Sequence, residues 1–147
     1  PSLSVQGNNE PLLIPDLEDY ISYASERGFI DIMFNTNASL LTEERAKKLL
    51  DSGVTRIRFS LDAITKETYQ KIRVGGNYEK VMRNIENFLE IKEKGGYKLP
   101  VTGVSLVVQH DNFYEVDEFV EVAKRVYQKS QSSLIMLKKR EIDMTIF

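Results

Sequence analysis

The chain has 147 residues, with 20 basic against 22 acidic side chains and a formal charge of −2. That length suffices for one buried core, and the near-neutral charge supplies no basic stripe for a nucleic-acid backbone. No segment reaches the roughly 18 apolar residues that span a bilayer, and no secretory h-region precedes the first strand, so we expect a cytoplasmic protein without membrane or nucleic-acid partners. Cysteine is absent, which excludes disulfides, a thiolate nucleophile and any zinc or iron-sulfur site held by the chain's own thiolates.

In chain order, Leu3 to Val5 predicts a short strand that runs into the polar turn Gly7-Asn8-Asn9-Glu10-Pro11. Ile14-Pro15-Asp16 predicts a helix entrance, because proline at the first helical position gives up no needed donor. Leu17, Tyr20, Ile21 and Ala24 then share one face until Gly28 stops the helix. Phe29 to Phe34 is the second strand, ending at Asn35-Thr36-Asn37-Ala38. Thr42 is the expected N-cap of a helix with an Ala46, Leu49, Leu50 stripe and Gly53 at its C′ position. Val54 to Leu61 is the third strand and leads through Ser60-Leu61-Asp62-Ala63. Asn77 is expected to cap a longer helix in which Val81, Ile85, Phe88 and Leu89 recur at helical spacing before Gly95-Gly96. Pro100 to Val108 is the fourth strand; its apolar run from Val104 reads as covered on both faces. It ends at Gln109-His110-Asp111-Asn112, after which Val116, Phe119, Val120 and Ala123 mark another helix face. Ser133 to Leu137 is a candidate fifth strand.

Strand and helix alternating in this way imply right-handed βαβ units, and hence an α/β fold with a parallel sheet. Four strands and a candidate fifth are too few to close an eight-stranded barrel. The expected architecture is therefore a set of parallel βα repeats forming a partial, incomplete TIM-like barrel, one domain over residues 1–147. Each of the four polar signatures ends a strand and opens towards a helix, the edge at which such sheets build ligand sites. They predict one shared pocket.

Gly-Asn-x-Glu-Pro-Leu-Leu, then Asn-Thr-Asn before a Leu-Leu-Thr-Glu-Glu helix, then Ser-Leu-Asp-Ala followed by Thr-x-Glu-Thr-Tyr-x-x-Ile-Arg resembles the radical S-adenosylmethionine (SAM) superfamily. The likeness is greatest to the branch whose members often carry a C-terminal extension for auxiliary iron-sulfur clusters, including sulfatase and peptide maturases. It covers about residues 3–124; residues 125–147 are an unassigned tail or last strand. The resemblance implies that Asn8, Asn9, Glu10 and Pro11 occupy the turn that contacts the SAM amino group. Thr36 and Asn37 match the next strand-end motif, with Ala38 where glycine is common. Ser60 and Asp62 match the strand end facing the methionine and ribose parts of SAM, with Ala63 replacing a glycine. Arg73 stands where relatives place a cation for the SAM carboxylate, and Val108 to Asn112 lies at the adenine and ribose edge. The family's Cys-x-x-x-Cys-x-x-Cys loop, which holds the [4Fe-4S] cluster, lies upstream of the Glu-Pro turn and is missing here. The resemblance thus implies the central part of a radical SAM core, a fragment or the product of a truncated gene. In the intact protein, SAM and the cluster would yield a 5′-deoxyadenosyl radical acting on a substrate, peptide or small molecule, that these residues do not name.

Each residue also has a plainer use. Asn8, Asn37, Ser60 and Asn112 are good turn and cap residues. Glu10 serves equally as an exposed turn acid, Asp62 as a cap near Thr65, and Arg73 as a partner of Glu67. His110, the sole histidine, reads as a surface residue. Gly75-Gly76 lacks the lysine and hydroxyl of a phosphate loop and reads as a flexible turn. Tyr20 and Tyr23 read as packing, and Lys138-Lys139-Arg140 as a solvated face. Two rival readings stand beside the enzyme: a catalytically inactive remnant that kept the fold without cluster and cofactor, and a phosphate-binding TIM-barrel enzyme, which lacks a late glycine-rich turn.

Overall fold

The elements follow one another as β1 (Ser2–Ser4), α1 (Leu17–Glu26), β2 (Asp31–Thr36), α2 (Glu43–Asp51), β3 (Arg56–Ser60), α3 (Lys66–Ile72), α4 (Tyr78–Lys94), β4 (Val101–Val108), α5 (Val116–Ser130), β5 (Ile135–Lys139) and β6 (Asp143–Ile146). The computed structural model describes residues 1–7, 9–130, 135–139 and 143–146, with side chains as far as 126. All six strands belong to one sheet whose spatial order is the chain order. Neighbours from β1 to β5 pair in parallel, and β6 returns antiparallel on β5. The sheet keeps two edges, as an incomplete barrel does.

Because consecutive parallel strands are neighbours, every right-handed crossover delivers its helix to the same face. On that face Ile32, Phe34, Ile57, Phe59, Val104 and Leu106 are buried against Leu17 and Ile21 of α1, Leu49 of α2, Ile85 and Phe88 of α4 and Phe119 of α5. Phe59 and Phe88 meet edge to face, with ring centroids 5.8 Å apart. Gly53 adopts φ +85, and a Cβ there would lie 2.4 Å from Ser25 Oγ. Only glycine allows the α2 exit to pass so close to α1.

The opposite face carries no layer among the described residues. In β4 only Thr102, Val104 and Leu106 are buried, while Val107 is 36% exposed. The expectation of a strand covered on both faces is therefore corrected. A β-branched run satisfies strand propensity on either face, so its composition does not report how many layers cover it. The strand β6 has no counterpart in the sequence reading, and the helix region near Thr65 is α3. In α3 only Thr68 and Tyr69 are buried, too few for an apolar stripe, and the helix is defined locally by Thr65 Oγ1, which accepts from the Thr68 amide at 3.3 Å. The candidate strand at Ser133 to Leu137 corresponds to β5, shifted by two residues; its first two positions lie outside the described residues.

The expected caps are present: Thr42 Oγ1 accepts from Arg45 N, and Asn77 Oδ1 from Lys80 N. Arg45 does more. Its guanidinium forms a two-point ion pair with Glu18 at 2.8 and 3.1 Å, and also donates to the carbonyls of Leu12 and Ile14. That grip fixes the segment following the first polar turn against α1 and α2. No helix among the described residues is long and apolar enough to cross a membrane.

Replacing Phe59 by alanine removes a fully buried ring and its edge-to-face partner contact, and should destabilise the fold by about 3–5 kcal/mol. Urea unfolding followed by far-UV circular dichroism measures this. A loss well under 1.5 kcal/mol would mean that the site collapses around the missing ring more completely than its close packing allows.

Candidate functional site

Beyond β1 the chain stays extended for two residues: Val5 N donates to Met33 O at 2.8 Å, and Gln6 Oε1 accepts from Asn35 N at 2.7 Å. It then turns through Gly7 and Asn9 to Glu10, which caps a short 3-10 turn, Pro11–Leu13, by accepting from Leu12 N at 3.2 Å. The same carboxylate reaches the end of β2. Thr36 Oγ1 donates to Glu10 Oε1 at 2.5 Å, and Asn37 N donates to Oε2 at 2.8 Å. Two turns separated by 26 residues thereby become one wall.

Ala38 follows in the left-handed region, φ 58, where a Cβ costs roughly 1–2 kcal/mol. Its amide donates to Thr36 Oγ1 at 3.0 Å and its carbonyl accepts from Asn84 Nδ2 at 2.8 Å. A glycine-favouring conformation is thus held with alanine by bonds from both sides.

At the end of β3 it is Asp62, not Ala63, that turns left-handed, also with φ 58. Aspartate tolerates that region, and here it aims the carboxylate back at the sheet. Asp62 Oδ1 accepts from Val107 N of β4 at 3.0 Å, and Oδ2 accepts from Arg73 Nε at 3.1 Å and from Nη2. The pair is asymmetric: Asp62 keeps 8% of its side-chain exposure and Arg73 38%. Arg73 therefore pairs with Asp62, not with Glu67. Asn112 is fully buried beside it. Asn112 Nδ2 donates to the carbonyls of Asp62 and Val107, and its Oδ1 accepts from Gln109 N.

A cavity of about 260 Å³ opens where these turns meet. Asn9, Glu10, Thr36, Asn37, Ser60 and Arg73 line it, together with Gln6, Gly7 and Asn35. Pro11, Asp62 and Asn112 do not; the last two stand behind the rim and hold it. Asn8 lies outside the described residues. A second cavity of about 360 Å³ shares Asn37 and Arg73 and continues past Gly75, Gly76 and Lys80. His110 is 96% exposed and 3.7 Å from Asp111, a surface position. Tyr20 and Tyr23 are largely exposed, not packed; Tyr23 instead lies under the Arg27 guanidinium, 4.8 Å from its ring centre. Lys138 and Lys139 belong to β5, and Arg140 lies outside the described residues.

Several participants carry no motif signal. Gln6 and Asn84 are ordinary polar residues whose roles come only from strand pairing and helix docking. Glu115 is 2% exposed and braces the β3 turn from α5's entrance, accepting from Ile64 N at 2.7 Å and Thr65 Oγ1 at 2.6 Å. Burial alone would push the Glu115 carboxyl up, but the Ile64 amide and the Thr65 and Thr68 hydroxyls together hold it below the usual glutamate value. Asn35 Oδ1 is buried with no hydrogen-bond partner among the described residues. Among the described residues there is no group of three or more metal-ligating side chains.

The model of the Radical SAM superfamily matches residues 4–123. Among curated proteins, a "Probable GTP 3',8-cyclase" of Methanococcus maripaludis is 44% identical over 82 residues, 56% of this chain and 27% of the relative. A GTP 3',8-cyclase of Clostridium botulinum is 32% identical over 117 residues, 79% of this chain and 35% of the relative. The chain thus spans about a quarter to a third of the length of these relatives.

The depressed Glu115 gives a signed pH effect. A group with a lowered folded pKa contributes stability above its unfolded pKa and loses it as pH falls through the folded value. Unfolding measured between neutral pH and about pH 3 should show an acid loss of stability that Glu115→Gln makes shallower, with the two proteins converging at the acid end. Parallel acid limbs in the two proteins would remove Glu115 from that role.

Proposed function

Because the chain belongs to the radical SAM superfamily, we propose that it forms the cofactor-positioning part of an enzyme core, seating S-adenosylmethionine in the cavity above Glu10, Thr36 and Ser60. The observation that supports this most is convergence: all four polar strand ends sit at one edge of the sheet, tied pairwise by Glu10 and by Asp62 with Asn112.

The lining suits that ligand chemically. Arg73 keeps part of its guanidinium exposed at the cavity and offers donors to a carboxylate, although Asp62 already engages one edge. Asn35 Oδ1 is a buried acceptor lacking a donor among the described residues, and Ser60 supplies a hydroxyl. A small zwitterion with a ribose meets such a set. Glu10 contributes differently from a free ligand acid: it holds the Thr36 and Asn37 turn in place, so that its charge faces the cavity from a fixed position. Bound SAM and its [4Fe-4S] cluster supply one-electron reductive cleavage of a carbon-sulfur bond and, from it, hydrogen-atom abstraction. The chain has no cysteine, so the thiolates for the cluster belong to residues outside it in the intact protein. Similarity to proteins named GTP 3',8-cyclases makes a purine nucleotide the first substrate to test there.

Equilibrium dialysis of SAM against the intact, cluster-loaded protein tests the reading. Glu10→Ala should weaken binding by about 1.5–3 kcal/mol, the range for a hydrogen bond to a charged group, whereas Glu90→Ala on the exposed face of α4 should leave it unchanged. Equal affinities in the two variants, or no SAM binding by the wild type, would favour the inactive remnant.

The isolated chain should hold no cluster. Anaerobic reconstitution with iron and sulfide is expected to leave the purified polypeptide without stoichiometric iron or cluster absorbance; finding both would overturn the assignment of the thiolates to another segment.

A further inference from the structure

The face of the sheet turned away from the helices carries Arg56 and Arg58, two residues apart on β3 and hence on the same side. Their surroundings differ sharply. Arg56 is neutralised by Asp31 of β2 through two parallel bonds, Nε to Oδ1 at 2.8 Å and Nη2 to Oδ2 at 2.5 Å. Arg58 is half-buried and has neither an ion pair nor a hydrogen bond with any described residue. Burial, and next the like charge of Arg56, pull its pKa down from the usual arginine value, the signature of a cation placed without its counter-charge. A guanidinium stays protonated regardless, so the cost of this placement is not relieved by losing the proton.

What stands beside Arg58 is also unfinished. Its register partner on β2 is Asn35, the residue whose Oδ1 is buried without a donor among the described residues. On β4 the partner is Gly103, which puts no side chain next to the guanidinium. Two residues further along β3 on the same face is Ser60, which with Asn35 lines the cavity assigned above to SAM. Arg58 therefore lies one pleat below that cavity, on the open side of the sheet.

We propose that Arg58 is the anchor for an anionic group of the substrate, a carboxylate or a phosphate, bound over the open sheet face directly beneath the SAM cavity. The planar fork of a guanidinium matches two oxygens of either anion. Arg56 shows what a built-in carboxylate partner on this face looks like; Arg58 has the same reach and no such partner. The assignment of the bound anion to a substrate rests on the proposed function, because it needs the reaction to occur at this strand edge.

The test uses the intact protein with its arginines nitrogen-labelled. The Arg58 Nε–H resonance, identified by its loss in Arg58→Gln, is followed while inorganic phosphate or acetate is added in low-chloride buffer, and SAM binding is measured in parallel. The expected result is a saturable shift of the Arg58 signal with one of the two anions, no matching shift for Arg56, and at least roughly tenfold weaker anion binding in Arg58→Gln with SAM affinity retained. Response to phosphate marks a phosphorylated substrate, and response to acetate a carboxylate. An Arg58 signal unmoved by both, or anion binding unchanged in Arg58→Gln, overturns the proposal. Loss of SAM binding in the wild type with a titrating Arg58 would instead bring down only the SAM reading.

Discussion

The geometry of the site depends on carboxylates placed at the seams between neighbouring strands. Glu10 fastens the turn after β1 to the end of β2, Asp62 fastens the end of β3 to β4, and Glu115 fastens the turn after β3 to the start of α5. Each accepts from at least one backbone amide, and a charged acceptor shortens and strengthens such bonds relative to neutral partners. Strand ends are where ladder pairing runs out and amides are left over, so an acid at each seam satisfies those donors and fixes the turn at the same stroke. The cavity exists because the turns around it cannot relax into it.

A second constraint comes from the asymmetry of the sheet. Helices cover one face with a continuous aliphatic and aromatic core, whereas the other presents Asn35, Arg56, Arg58, Ser60 and Ser105 among Met33, Val101 and Val107. Closed βα barrels fill their interior with branched aliphatic layers. A face built from arginine, asparagine and serine does not pack dry, because each of those groups needs a partner that an apolar layer lacks. The polar residues of this face and the polar strand ends are therefore contiguous, with the described helices confined to the back of the sheet.

Much of this architecture was legible in the sequence where the physics is local. Thr42 and Asn77 as caps, glycine at Gly53 and the period of Val81, Ile85, Phe88 and Leu89 all act within a turn or two, and each does what its neighbours predict; Pro15 does not take the first helical position, because α1 starts at Leu17 with Asp16 as its N-cap. The convergence of the four polar turns was also legible, since parallel βα topology dictates that all such turns leave from one edge. Less legible were the particular partners. That Asp62 reaches Val107, that Asn84 reaches the Ala38 carbonyl, and that Arg45 grips Leu12 and Ile14 all depend on distances set by packing across 30 or more residues of chain. The bounds of the short α3 were not legible because it buries too little to leave a periodic trace, and β4 was misjudged because valine suits both a covered and an uncovered face.

The bonds that hold the first polar turn have a thermodynamic consequence. Gly7, Asn9 and Glu10 are docked on the end of β2 by the Glu10 carboxylate, through Thr36 and Asn37, and by Gln6 through Asn35. Opening of this turn breaks those few polar bonds and takes one wall of the cavity with it. Any ligand that needs that wall must draw on its binding free energy to keep the turn closed, and in return suppresses the opening by mass action. Amide exchange at Asn35 and Asn37 is consequently coupled to ligand occupancy, making this turn a reporter of what happens in the pocket.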